Sequence, residues 1–312
     1  MRIVIIGAGA MGCLYGGKLS TTEANSVSLL DVWEEHVAAI NKGGLYMEED
    51  GKQIHYTGLR ASVDPKEIGH ADLVIVFVKS IFTAEAVRDN KAVFGPNTVA
   101  LTLQNGIGNV DQIAEEIGIE NVIAGTTAHG ATMLGPGHVR HAGSGKTIIG
   151  ELDGSVTPRL EAIRNTLNLV GMETAISTNV MGLVWDKLLV NAGINALTGI
   201  TGLQNGQILN HPSLLDVMDM AVLEGEAVAR AKGVAVGETH PAITATEHIR
   251  VVAQATSANR SSMLQDILGG KKTEIETING AIVDEGKRLG VPTPVNLVLV
   301  QLIRFYEEKR GD

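Results

Sequence analysis

The run Arg2–Ile6, RIVII, breaks directly into Gly7-Ala8-Gly9-Ala10-Met11-Gly12, and helix-forming residues follow through Leu19. Strand, glycine-rich turn and helix in that order constrain the fold more than any other stretch of the chain. The first glycine permits a tight turn, Gly9 lets the backbone approach a pyrophosphate, and Gly12 allows the helix to pack closely on the strand. The N–H groups at the helix start, those of Ala10 and Met11 among them, then favour an anion together with the helix dipole. A GxGxxG pattern alone is weak evidence, and a glycine-rich turn without a ligand is the plainer alternative. Its position between a strand and a helix gives it meaning.

Ser26–Leu30 reads as a second strand, with Asp31 at its carboxyl end, nineteen residues beyond Gly12. An acidic side chain there accepts hydrogen bonds from the adenosine ribose and repels a 2′-phosphate. No arginine stands among residues 32–36 to offset it. The sequence therefore predicts NAD(H) over NADP(H), with a solvated loop carboxylate as the plainer reading of Asp31. Ala71–Val78 is a continuous apolar run, as in a parallel strand covered on both faces, and it ends in Lys79-Ser80. Thr98–Leu103 ends in Gln104-Asn105-Gly106-Ile107-Gly108-Asn109, a polar, glycine-rich loop suited to lie beneath a nicotinamide. Val122–Thr126 leads to His129, read as a structural histidine rather than an acid–base group. Residues from His138 to Gly150 are expected to form a hairpin-like pair closing the sheet. Two nearby histidines, His138 and His141, do not make a metal site without further ligands.

With 312 residues the chain is long enough for two cores. Its net charge of −10 argues against non-specific binding of phosphate backbones, and aromatic residues at 3% are too few for a nucleic-acid stacking platform. A small anionic substrate is still admitted, since a pocket can be locally positive on an acidic protein. Cys13 is the only cysteine, which rules out an intramolecular disulfide and suits a reducing compartment. No signal peptide is apparent, and no apolar stretch reads as a membrane span of roughly 20 residues. The expectation is a cytoplasmic protein with neither nucleic-acid nor membrane partners.

Thr157–Val170 reads as an amphipathic helix and Glu173–Ile176 as a short edge strand, after which the pattern is helical. Within WDKLLVNAGIN, residues 185–195, Asn191 lies roughly 40° and Asn195 roughly 80° round the helix from Lys187. These three share a polar stripe on an otherwise apolar helix and need partners, as satisfied core groups or as a functional set. A helix starts at Asn210-His211-Pro212 and runs on from Leu214 to Lys232, stopped by Gly233; another spans Ala242–Thr256. Glu224, Glu226 and Arg230 are read as a solvated face. Asn259, Ser262 and Glu274 stand in stretches rich in small polar residues near expected helix starts, and Thr273 is expected to cap the later helix. By their chemistry alone, Ser262 and Glu274 could equally be capping residues.

Taken together, GAGAMG at 7–12, VK at 78–79, QNGIGN at 104–109, GTTAHGA at 125–131, WDKLLVNAGINALTGI at 185–200, NRSSMLQDI at 259–267 and TEIETINGAIV at 273–283 resemble the ketopantoate reductase (2-dehydropantoate 2-reductase) family over essentially the whole chain. The resemblance implies an α/β fold, a doubly wound Rossmann-type parallel sheet over residues 1–178, followed by an all-helical substrate and dimerisation domain over 179–312. It implies a small 2-oxo acid substrate held in the cleft between the two, and a homodimer. It puts the catalytic lysine on Lys187 and the active-site glutamate on Glu274, with substrate contacts on Asn105, Asn191, Asn195, Asn259 and Ser262. The cofactor would be held by Gly7, Gly9, Ala10, Met11, Gly12, Asp31, Lys79 and Asn105, and no metal is required. The family more often uses NADPH, and Asp31 departs from that pattern. Members that are NAD-dependent D-2-hydroxyacid dehydrogenases, the D-mandelate dehydrogenases among them, keep the same lysine. The expectation is an NAD-linked enzyme acting on branched or aromatic 2-oxo acids, with NADPH-linked ketopantoate reduction as the alternative.

Overall fold

The computed structural model describes residues 1–237 and 240–309. The chain divides into two compact units, residues 1–104 with 109–180, and residues 105–108 with 181–312.

In the first unit the strands are β1 (Arg2–Ile6), β2 (Ser26–Leu30), β3 (Leu45–Glu49), β4 (Lys52–Tyr56), β5 (Leu59–Ser62), β6 (Ala71–Val76), β7 (Phe94–Thr102), β8 (Val122–Thr127), β9 (Gly130–Gly135), β10 (His138–Gly143), β11 (Thr147–Glu151) and β12 (Thr174–Ile176). Its helices are α1 (Ala10–Leu19), α2 (Glu34–Gly43), α3 (Thr83–Asp89), α4 (Asn109–Ile117) and α5 (Pro158–Leu169). Eight strands form the main sheet in the order β12-β11-β8-β7-β6-β1-β2-β5. The six from β5 to β8 are mutually parallel, β11 runs antiparallel to β8, and β12 lies parallel to β11 at the edge. Strand alternation assigns the two faces. Ile3 and Ile5 join the core that contains α1 and α5 residues, whereas Val4 and Ile6 join the one that contains Val87 of α3 and Ile113 of α4. A sheet buried on both faces needs apolar residues at every position, which is why RIVII and ADLVIV lack polar alternation.

The expected hairpin over residues 138–150 does not form. β10 pairs with β9 and β3 in a separate four-stranded sheet, β4-β3-β10-β9, while β11 belongs to the main sheet. The chain changes sheets at Gly143-Ser144-Gly145. A Cβ on Gly145 would lie 2.5 Å from the Ala128 carbonyl, so only glycine fits this passage. The second sheet went unread because β3 pairs with a strand some ninety residues further on, beyond the reach of local pattern.

The second unit contains α6 (Val180–Thr201), α7 (Pro212–Ala231), α8 (Ala245–Ala255), α9 (Ser262–Leu268), α10 (Asn279–Leu289) and α11 (Pro294–Glu308). At 22 residues, α6 does have the length and apolarity to cross a bilayer, contrary to the sequence reading. It is mostly buried by the unit it organises: Trp185, Leu188, Leu189, Ala192 and Ala196 are in the core. Gly193 sits in mid-helix because α7 and α8 press against it; a Cβ there would meet Val222 at 3.0 Å and Ile249 at 3.3 Å. Pro212 opens α7 at a position where its missing N–H costs nothing. Gly233, at φ +81°, closes it with the Gly233 and Val234 N–H groups donating to the carbonyls of Arg230 and Ala229. Glu224 corrects a second expectation. Its carboxylate faces inward and accepts from the N–H groups of Val295 and Asn296 at 2.8 and 2.9 Å, capping α11. Glu226 and Arg230 do pair on the surface, at 3.1 Å.

Candidate active site

The residues expected to act fall in both units. In the first unit, the turn after β1 is built as its glycines require. Gly7 has φ +94°, and a Cβ on it would lie 2.7 Å from the Val78 nitrogen. A Cβ on Gly12 would sit 2.0 Å from the Gly7 carbonyl oxygen. Gly9 is different: its chain neighbours aside, no atom of the described residues lies within 4 Å of where its Cβ would be. Two glycines thus close the turn and the third faces open space at the start of α1, where no side chain caps the helix. The N-terminal N–H groups at Ala10 and Met11 stand where a pyrophosphate would be received, so the residues present fit a dinucleotide.

Asp31 follows β2, half-exposed, with one carboxylate oxygen accepting from the Trp33 N–H at 3.0 Å. It opens onto a groove of about 450 Å³ that begins at Ile6 and Gly7 and is walled by Val32, Val63, Phe82, Glu85 and Asp89. Among the described residues, no lysine or arginine lines it. Lys79 stands at the carboxyl edge of β6, half-buried, ahead of the short turn Ser80–Phe82. Gln104 ties the ends of two strands together: its amide donates to the Val78 carbonyl at 2.7 Å and to the Thr83 hydroxyl at 2.8 Å.

In the second unit, Lys187 and Asn191 are half-buried on α6, and Asn195, a further turn along, is 6% exposed. Burial pushes the Lys187 ammonium down to about 8, and the nearby Glu274 carboxylate opposes that shift. Asn105, in the loop that the second unit takes from the middle of the chain, donates its amide to Glu274 Oε2 at 3.2 Å. Residues 105, 187 and 274 are therefore gathered from three remote parts of the sequence. Gly106, at φ +81°, lets this loop approach closely, since a Cβ would lie 2.3 Å from the Thr277 carbonyl oxygen. The Ile107 side chain joins the core of the unit.

The capping alternatives resolve against Ser262 and Glu274. Ser261, not Ser262, caps α9, its buried hydroxyl accepting from the Leu264 N–H at 3.1 Å. That hydroxyl also lies 2.6 Å from the hydroxyl of Thr198 on α6. Ser262 is exposed at the first position of α9, and Asn259 is exposed just ahead of it. Thr273 accepts from the Ile275 N–H at 3.2 Å, but the helix it was expected to open is only the short turn Ile275–Thr277. The backbone breaks at Ile278 (φ −106°, ψ −94°) before α10 begins. Glu274 precedes that turn without a capping side-chain bond.

His129 belongs to a partly buried polar chain rather than to either set. Its Nδ1 lies 3.1 Å from His141 Nε2, His141 Nδ1 lies 2.6 Å from Glu49, and Lys18 completes the chain at 2.7 Å from the same carboxylate. Sequence reasoning missed Asp186. Buried beside Lys187, it accepts from the Gly237 N–H at 2.7 Å and lies 3.7 Å from His240 Nε2, fixing the stretch after α7 to the lysine helix. Nothing in its spacing could have marked it.

Residues 3–154 match the model of the ketopantoate reductase PanE/ApbA family, and residues 179–307 match the model of that family's C-terminal domain. The chain belongs to the ketopantoate reductase family. A 2-dehydropantoate 2-reductase of Halobacterium salinarum is 39% identical over 98% of both chains. A PanE/ApbA family ketopantoate reductase from Ralstonia eutropha JMP134 superposes with a TM-score of 0.91 at 35% identity, covering 100% of both chains. A ternary structure of D-mandelate dehydrogenase with NADH and anilino(oxo)acetate has the same TM-score at 29% identity, covering 100% of this chain and 99% of that one. The family consists of pyridine-nucleotide-dependent oxidoreductases, and the α/β unit followed by a helical unit is its architecture.

Proposed function

We propose that this ketopantoate reductase family member is an NADH-linked enzyme that interconverts a 2-oxo acid and its D-2-hydroxy acid. The observation that carries the cofactor is the groove at Asp31, with three carboxylates in its lining and, among the described residues, no lysine or arginine there to receive a 2′-phosphate. When bound, the cofactor supplies a hydride to the keto carbon of the substrate. Lys187 donates the proton that the resulting alkoxide needs, and while still charged it stabilises that oxygen as negative charge develops. A lysine brought down to about 8 is suited to both directions, holding its proton below that value and accepting one above it. Glu274 keeps Lys187 charged and, with Asn105, fixes its surroundings. Asn191, Asn195, Asn259 and Ser262 are assigned to the substrate's carboxylate and polar groups, and no metal takes part.

For the acid itself we favour a branched or aromatic side chain, as an NADH enzyme suits reversible turnover of such acids. Ketopantoate is the second reading, favoured by the 39% identity to a 2-dehydropantoate 2-reductase along nearly the full chain. Initial rates with NADH and NADPH, each against ketopantoate, benzoylformate and 2-oxoisocaproate, separate the two. NADH with the branched or aromatic acids far ahead is the expected result. Ketopantoate far ahead would replace the first substrate with the second, and a strong preference for NADPH would overturn the cofactor assignment. A homodimer through the helical unit completes the proposal; Val298, Leu302 and Phe305 form an exposed apolar row on α11 that would supply part of its contact.

A further inference from the structure

Two of the three carboxylates in the groove lie outside the nucleotide fingerprint. Glu85 and Asp89 stand one turn apart on α3, so both project from the same face, and both line the groove that Asp31 enters from the end of β2. The cations of this segment are turned elsewhere: Arg88 and Lys91 pair with Glu116 of α4, at 3.0 and 3.1 Å. Val32, Val63 and Phe82, all at least half exposed or nearly so, give the groove apolar walls suited to a flat base. A ribose 2′-phosphate entering here would bring up to two negative charges among three carboxylates. At physiological ionic strength charges interact over about 8 Å, so carboxylates that line one groove repel a phosphate that comes within that range of them.

We propose that Glu85 and Asp89 are specificity-determining residues that reject the 2′-phosphate of NADPH independently of Asp31. This rests on the assignment of the groove to the adenosine end of the cofactor. An enzyme selecting through Asp31 alone would lose its preference on Asp31→Asn; the wall on α3 keeps part of it.

The test compares NADPH with NADH in the full chain, in Asp31→Asn, in Glu85→Gln/Asp89→Asn and in the triple variant, as the ratio of association constants from fluorescence titration without substrate and as the ratio of kcat/KM, each at low and high salt. The double variant is expected to raise the ratio about five- to tenfold at low salt, in line with removing charges at this range. Asp31→Asn is expected to retain a rejection of NADPH that weakens as salt is added. A double-variant ratio within twofold of wild type, or an Asp31→Asn enzyme whose ratio no longer responds to salt, overturns the proposal. The unmodified enzyme reports separately on the cofactor. If it prefers NADPH while the double variant raises the ratio further, the NADH assignment fails and the acidic wall stands. If it prefers NADH and the double variant changes nothing, the wall fails and the assignment stands. Should the double variant fold poorly, the salt response of Asp31→Asn decides the matter alone.

Discussion

Lys187 is the side chain whose environment has the most direct chemical consequence. Burial lowers it to about 8, so below that pH it is charged and able to donate a proton. Reduction of the 2-oxo acid should therefore hold steady at neutral pH and fall as pH rises through about 8, while oxidation of the hydroxy acid rises through the same window. The kcat profile in each direction checks this. Glu274 opposes the shift, so Glu274→Gln should move the alkaline limb of the reduction profile to lower pH; a limb that stays put would sever that coupling. Lys187→Ala should lower kcat by about two to four orders of magnitude. Its NADH affinity by fluorescence titration should stay close to wild type, because the fingerprint belongs to the other unit. The lysine also bears on stability. Between its folded value near 8 and its ordinary 10.5 the unfolded chain holds a proton that the folded chain has lost, so this residue's contribution improves as pH rises through that interval. Below it, holding the ammonium in the fold is a cost, and Lys187→Met is expected to resist urea better than wild type at pH 7.

At the scale of elements, legibility followed locality. β1, the glycine turn and α1 were readable because strand, turn and helix each leave their signature within a few neighbouring residues. The stop of α7 at Gly233 and its start at Pro212 were readable for the same reason. The role of Glu224 was not, because the N–H groups it caps lie some seventy residues away on α11. The second sheet was hidden likewise, its β3 and β10 pairing across the first unit. Of the candidate site, Lys187, Asn191 and Asn195 share a helix stripe that helical periodicity exposes. The approach of Asn105 to Glu274 came only from the family resemblance, since 169 residues separate them. The capping reading of Ser262 failed by one position: the buried partner hydroxyl on Thr198 faces Ser261. A check at this scale is Glu224→Ala, which strips the start of α11 of its acceptor and leaves the buried Asn296 amide short of a partner at 2.7 Å. It should cost about 1–3 kcal/mol in urea unfolding with little change in KM for NADH.

For the molecule as a whole, the proposed function assigns different tasks to the two units. The first contains the glycine-rich turn and the acidic groove, the second Lys187 and Glu274. If the exposed row on α11 meets a second copy, Phe305→Glu should turn the dimer into a monomer in sedimentation, whereas an unchanged mass would remove that face from the interface. A saturating cofactor should stabilise the folded chain by about 2.7 kcal/mol at a hundred times its Kd, visible as a raised melting temperature.

Residues 105–108 leave the first unit after β7 and return to it at α4, having packed Ile107 into the helical core and met Glu274 through Asn105. A contact closed across so much intervening chain is slow to form, because the loop it closes must be ordered before the contact repays it. On refolding, helix and sheet signals should recover first, and turnover should return only when this short excursion finds its seat. The order of events on the way to the native enzyme is thus written into four residues that the chain lends out and takes back.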